Sequence, residues 1–245
     1  MSSTGSPVLL ACAHGTRSPA GRRAVSRLVD AVAAALPGTE VVPTWVDVQT
    51  PDLAERTGQL AGRPAVVVPL LLSAGYHVYV DVARAVAADE QHRVSAALGP
   101  DRALARLLAR RVHEGCARTG TPLQPADAVV LATAGSSDRR AVADCAVVAE
   151  QLGEELGRPV AVSYLAAASP RVAEAVASAR TSLSSGGRVV VANYLLAPGY
   201  FLDRSREAGA DVDTDPLALP DGEVPPELID VIRTRYRSVC RRVRT

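Results

Sequence analysis

Three residues of this 245-residue chain that can hold a metal ion or move a proton stand at or just beyond the ends of largely apolar runs. His14 follows Val8–Ala13. Asp47 stands near the end of Val41–Val48. His77 follows Ala65–Leu72 after the short loop Ser73–Tyr76. A neutral imidazole ligates a divalent ion or accepts a proton, and its unperturbed pKa of about 6.5 suits both tasks near neutrality. Two imidazoles and one carboxylate leave coordination positions open, unlike a closed four-ligand structural site. A single histidine at a strand end is commonly structural. Two histidines and a carboxylate at matching strand ends point to chemistry. The other two histidines lack this support. His92 lies in the polar stretch Asp89–Arg93, which reads as a loop, while His92–Leu98 also reads as a candidate fourth strand. His113 sits beside Arg110, Arg111 and Glu114 on what reads as a solvated helix face. Asp211, Asp213 and Asp215 lack the glycine and distal glutamate of a calcium loop and read as a polar connection ending at Pro216.

The elements that must position these groups alternate. Val8–Ala13, Val41–Val48 and Ala65–Leu72 read as buried strands. Between them lie a helix opened by Ser18-Pro19, with Val25, Leu28, Val29, Val32 and Leu36 at helical spacing, and a second helix opened by Thr50-Pro51. Ala103–Ala117 reads as a helix, and another is expected from Pro225 onward. Continuous apolar strands alternating with helices predict a parallel sheet covered on both faces, with ligands beyond the carboxyl ends of its strands.

The same design occurs twice. Leu10–Arg17 resembles Val130–Ser137, Thr50-Pro51 resembles Ser169-Pro170, and Leu71–His77 resembles Leu195–Phe201. The offsets are 120 (134−14), 119 (170−51) and 124 (199−75) residues. The equivalents of His14, Asp47 and His77 are Ala134, Ala166 and Phe201, so only the first copy keeps the chemistry. Tyr76 and Tyr200 occupy matched loops, where each could pack on a flat ligand or brace its loop. Gly, Thr and two Pro cluster at Gly120–Pro125 and place a join there. The expected architecture is α/β: two similar three-layer α/β/α halves, residues 1–122 and 123–245, each with a mostly parallel sheet, and an active-site cleft between them.

Composition narrows the class. Hydrophobic residues make up 48% and charged residues 22%, which fits a globular protein rather than a disordered one. A net charge of +1 argues against a nucleic-acid binder. All 27 basic residues are Arg, a planar fork suited to carboxylates. The four cysteines, at 12, 116, 145 and 240, form no CxxC pair and fit neither a zinc module nor a dense disulfide framework, and a lone Cys240 near the C-terminus cannot hold an iron–sulfur cluster. No targeting segment or membrane-length apolar run is visible, and a soluble cytoplasmic protein is the expectation. No GxGxxG is present, so no nucleotide cofactor is expected. A histidine phosphatase would carry Arg before its His-Gly, where this chain has Ala13. Gly135-Ser136-Ser137 is not a nucleophile elbow, because no glycine follows at the required spacing.

Ala13-His14-Gly15-Thr16-Arg17, the segment Trp45–Asp52, and Pro69–His77 followed by Asp81 together resemble the class II tetrapyrrole chelatases, most closely the sirohydrochlorin ferrochelatase or cobaltochelatase type in its two-half long form. The resemblance implies a lyase-class enzyme that inserts Fe²⁺ or Co²⁺, as substrate, into sirohydrochlorin for siroheme or cobalamin. It makes His14 and His77 the metal-binding and catalytic histidines. Asp47 stands where relatives often carry Glu. Ring carboxylates would meet Thr16, Arg17, Ser73, Gly75, Tyr76, Ser136 and Ser137, with Arg84, Arg139 and Arg140 as weaker candidates. The implied partners are the tetrapyrrole and the preceding dehydrogenase of the pathway, with no nucleic acid or membrane, and the chain is expected to act as a monomer. A divalent-metal or tetrapyrrole carrier that delivers without catalysing would use the same two histidines and is the alternative.

Overall fold

The computed structural model describes residues 6–73 and 75–242. They form two compact units, one of residues up to 98 together with those from 220 onward, the other of residues 99–219.

The first unit holds strands β1 (Val8–Ala13), β2 (Val41–Trp45), β3 (Ala65–Pro69) and β4 (His92–Val94), all parallel, in the order β2-β1-β3-β4. Alternate residues of β1 face opposite helical layers. Val8, Leu10 and Cys12 pack with Leu53 and Leu60 around α2 (Leu53–Gln59) and with Val82 of α3 (Tyr76–Ala87). The other face is covered by α1 (Pro19–Ala34) and α8 (Pro226–Arg242). Ser18 caps α1 by accepting from the Gly21 N–H at 3.2 Å, and Pro19 occupies the first turn. The buried residues Ala24, Val25, Leu28, Val29 and Val32 form its inner stripe.

The second unit repeats this plan with β5 (Ala128–Thr133), β6 (Val160–Tyr164), β7 (Val189–Tyr194) and β8 (Val212–Asp213), again all parallel and ordered β6-β5-β7-β8. α6 (Val172–Thr181) packs on one face, and α4 (Arg102–Arg118) and α5 (Arg139–Leu156) cover the other, while α7 (Tyr200–Arg206) packs against β7. Two three-layer α/β/α units with parallel sheets are therefore present, as the sequence predicts.

The division between them differs from the expected join at 122/123. α4 comes from the first half of the sequence but packs on α5 and β7. α8 comes from the second half but packs on α1 and β3. The two helices are repeat equivalents, 124 residues apart (226−102) and 17 residues each. One arginine on each fixes the exchange. Arg111 of α4 donates from Nε to the Pro216 carbonyl at 3.1 Å and from Nη2 to the Leu217 carbonyl at 3.0 Å. Its equivalent Arg235 (235−111 = 124) donates in the same way to Ala97 at 2.8 Å and Leu98 at 2.7 Å. Arg111 is thus buried rather than part of a solvated face, whereas His113 is exposed as expected.

Three smaller expectations change. Of the two readings of residues 88–100, the fourth strand forms, but only over β4, and His92 on it is 2% exposed with Nε2 3.3 Å from the Leu60 carbonyl rather than in a loop. The Thr50-Pro51 and Ser169-Pro170 pairs precede the helix caps instead of forming them. Asp52 caps α2 by accepting from the Glu55 N–H at 2.8 Å, and its own backbone still bridges to Trp45, so the helix starts one residue later. The aspartate triplet spans β8. Asp211 Oδ2 accepts from the Val189 N–H at 2.8 Å, and Asp215 pairs with Arg118 at 3.1 Å.

Asp127 gives the second unit an acid-sensitive tie. Its side chain is fully buried, 2.7 Å from the Arg188 guanidinium. Burial alone would raise its carboxyl, but the Arg188 bond and the N–H groups of Gln124 and Arg188 hold it below the usual range. A depressed carboxylate stabilises the fold above its unfolded pKa of about 4, and that contribution fades as pH falls through the lower folded value. Asp127→Asn is therefore expected to lower the melting temperature at pH 7 and to narrow the gap between pH 7 and pH 3. Thermal unfolding at both pH values checks this, and an unchanged gap in the variant refutes it.

Candidate functional site

The sheet order puts the carboxyl ends of β2, β1 and β3 side by side, and the chain leaves each through one part of the predicted constellation. In a sheet of this order the crevice between β1 and β3 is the topological switch point, where open α/β sheets bind ligands.

His14 leaves β1 exposed at that edge. Its carbonyl accepts from the Asp47 N–H at 3.0 Å, and Ala13 accepts from Val46 at 2.9 Å. The turns after β1 and β2 are thereby laced together. Gly15 has φ +98°, and a Cβ there would stand 2.0 Å from the Asp47 carbonyl oxygen, so only glycine lets the two turns approach this closely. Asp47 is exposed and accepts through Oδ1 from the Val48 N–H at 2.6 Å, which orients the carboxylate. Val48 itself has φ +69° and is 42% exposed.

Sequence reasoning missed Gln49. Its Oε1 accepts from the Thr16 N–H at 2.9 Å and ties the far side of the His14 turn to the Asp47 turn. The signal was available, because Gln49 stands inside the Trp45–Asp52 motif. Thr16 Oγ1 accepts from the Ser18 N–H at 3.1 Å, and the Thr16 carbonyl accepts from Arg22 Nε at 2.9 Å. Thr16 is thus held in place with its hydroxyl proton free to be donated, and Arg17 is exposed beside it.

After β3 the chain turns back through Leu70, whose N–H donates to the Cys12 carbonyl at 2.7 Å. Ser73 and Gly75 are half-buried, and Gly75 precedes α3. His77 lies in the first turn of α3. The side chains of Tyr76, His77 and Asp81 fall outside the described residues. No group of three His, Cys, Asp or Glu side chains able to hold a metal occurs among the described residues. Cys12, next to the site in sequence, is buried in the core, and burial pushes its thiol up to about 12, so it stays protonated.

The second unit reproduces the scaffold without the chemistry. Ala166 N–H donates to the Ala134 carbonyl at 2.9 Å, and Gly135 has φ +86° with the Ala166 oxygen 1.8 Å from a built Cβ. Ser136 Oγ accepts from the Asp138 N–H at 3.0 Å, as Thr16 does from Ser18, and Ser137 is exposed. Arg139 is exposed, whereas Arg140 is held by Asp138 at 2.9 Å. A cavity of about 410 Å³ lies elsewhere, against α2 and α3, lined among others by Leu53, Thr57, Val82 and His92; neither His14 nor Asp47 lines it. No helix among the described residues is long and apolar enough to cross a membrane.

Solved structures of the same fold include SirB from Bacillus subtilis with Fe³⁺, with a TM-score of 0.71, 19% identity and 96% of each chain covered. The sirohydrochlorin chelatase SirB from Bacillus subtilis subspecies spizizenii in complex with cobalt matches with a TM-score of 0.71 and 16% identity, again over 96% of each chain. CbiX, described as the terminal enzyme for biosynthesis of siroheme in denitrifying bacteria, matches with a TM-score of 0.62 and 16% identity over 93% of this chain and 98% of that one. No curated protein sequence matches the chain. The CbiX family model matches residues 8–115 and 128–213, one stretch for each copy of the repeat and most of the sequence, and the chain belongs to the CbiX family.

Proposed function

We propose that this chain is a sirohydrochlorin chelatase, inserting Fe²⁺ first and Co²⁺ as the other ion. The observation that carries the reading is the placement of His14 and His77 on either side of the β1/β3 switch point, with Asp47 laced to the His14 turn by a 3.0 Å backbone bond. Family membership and the similarity to SirB with Fe³⁺ and with cobalt support it.

Insertion releases two pyrrole protons and moves a divalent ion from protein to ring. His14 and His77 hold the incoming ion loosely and accept the protons. The oriented Asp47 carboxylate steadies the ion or a histidine. Thr16, Arg17, Ser73, Ser136 and Ser137 donate to the carboxylates of the ring, while Gly75 and Tyr76 shape the loop beside it. Donors of this type follow the general affinity order for divalent ions, so metal supply sets the choice between iron and cobalt. The chain acts as a monomer, since it carries both halves, and takes its ring from the dehydrogenase that precedes it.

An anaerobic absorbance assay with sirohydrochlorin and either ion tests this. Many ring equivalents converted per chain, above the metal-only rate, is the expected result. A rate equal to that background with both ions removes the catalytic reading, and loading that stops at one equivalent makes the chain a carrier.

A further inference from the structure

Resting on the chelatase reading, we propose that Tyr200 and Phe201 form an apolar platform on the second unit for the flat face of the tetrapyrrole. Among the described residues, four large apolar side chains are exposed: Val48 at 42%, Val147 at 39%, Tyr200 at 72% and Phe201 at 37%. Val147 lies on α5, away from any strand end. The other three follow the carboxyl ends of β2 and β7. Exposed aromatic surface costs solubility and lacks a packing role, so its confinement to the ligand edge of its unit indicates a partner surface there.

The repeat sharpens the assignment. β7 ends at Tyr194, and α7 begins at Tyr200 after a short loop, just as β3 ends at Pro69 and α3 begins at Tyr76. Tyr200 and Phe201 therefore occupy the positions of Tyr76 and His77 and flank the β5/β7 switch point. Across that switch point lies the Gly135–Ser137 turn. The first unit keeps an imidazole at this position and the second replaces it with a phenyl ring. The substitution exchanges proton and metal chemistry for a π face.

The two rings lie 5.7 Å apart and are tilted by 53°. The rings touch in a tilted contact, and both stay exposed to solvent. With Tyr200 nearly three-quarters exposed, bracing of the loop does not account for it. A conjugated macrocycle has the extended apolar face to cover such a pair.

The test uses the full chain and two readouts: titration with metal-free sirohydrochlorin, followed by its absorbance shift, and anaerobic insertion kinetics. Tyr200→Ala with Phe201→Ala is expected to raise both the dissociation constant and KM about tenfold, with kcat within about twofold of wild type. Tyr200→Phe keeps the face and is expected to behave as wild type. Active wild type together with unchanged binding in the double variant overturns the platform and leaves the chelatase reading intact. A Tyr200→Phe variant as weak as Tyr200→Ala also overturns it, because the hydroxyl rather than the ring face then binds. Wild type that neither binds nor converts the ring removes the underlying reading and the platform with it.

Discussion

His14→Ala is expected to lower metal insertion about a thousandfold, to the rate of the uncatalysed reaction, and His77→Ala to do the same. A positioned proton acceptor contributes about 10²–10⁴-fold, and under the proposed reading the same imidazole would also present the ion. The structure makes His14→Ala a clean experiment. The backbone of His14 holds the Asp47 turn through its carbonyl, while the side chain is exposed. Alanine keeps the backbone bond and deletes only the imidazole, so the melting temperature should stay within a degree or two. Initial rates together with thermal unfolding check both parts. A His14→Ala variant that retains a tenth of the wild-type rate takes His14 out of the chemistry. Asp47→Ala should cost less, because Asp47 acts beside the two imidazoles, and it also frees the Val48 N–H now held at 2.6 Å.

Gly15→Ala is expected to cost both stability and insertion. Its backbone sits at φ +98°, and the new Cβ would lie 2.0 Å from the Asp47 oxygen. Neither atom can swing away, because the oxygen is backbone, the Cβ is fixed by the backbone that bears it, and the two turns are held together by their bonds. The turns must part, at a cost of about 2–4 kcal/mol. Gly135→Ala meets the same obstacle, with 1.8 Å to the Ala166 oxygen and φ +86°, and should lose similar stability. The two variants differ in what else they lose. Gly15→Ala moves His14 away from Asp47 and should abolish insertion even at temperatures where the chain stays folded. Gly135→Ala displaces only Ser136 and Ser137 and should act mainly on KM. Chemical denaturation and steady-state kinetics separate these effects. Equal stability of Gly15→Ala and wild type would refute the close approach.

The parts of this architecture written as local patterns were legible in the sequence. The buried runs at Val8–Ala13 and Ala65–Leu72, the helix opened by Ser18-Pro19, and the repeated glycine turns each depend on neighbouring residues, and they define both sheets and the edge that carries His14. The exchange of α4 and α8 was not legible. The two helices are repeat equivalents with the same apolar stripe, so either unit could take either helix, and periodicity is blind to the choice. The Arg111 fork shows the same limit, since a run of Arg-Arg-Val-His-Glu reads as solvated until Pro216 and Leu217 are brought to it. His92 stood between a loop and a strand reading because its neighbours are polar; Asp89 accepts from the Gly62 and Gln91 N–H groups while the imidazole reaches the Leu60 carbonyl at the end of α2. Gln49 acts through a bond to Thr16, 33 positions away, and no spacing rule marks such a pair.

The exchanged helices also set an order of events during synthesis. Residues 99–219 interrupt the first unit, which resumes only at Pro220. The second unit has all its strands and helices once residue 219 has left the ribosome. The first unit, although it begins the chain, still lacks α8 at that moment. The β1/β3 face stays uncovered until Tyr236 can donate to the Pro7 carbonyl at 2.6 Å and Arg235 can reach Ala97 and Leu98. A nascent chain therefore finishes the unit without His14 and His77 first, and the sheet that carries His14 closes last.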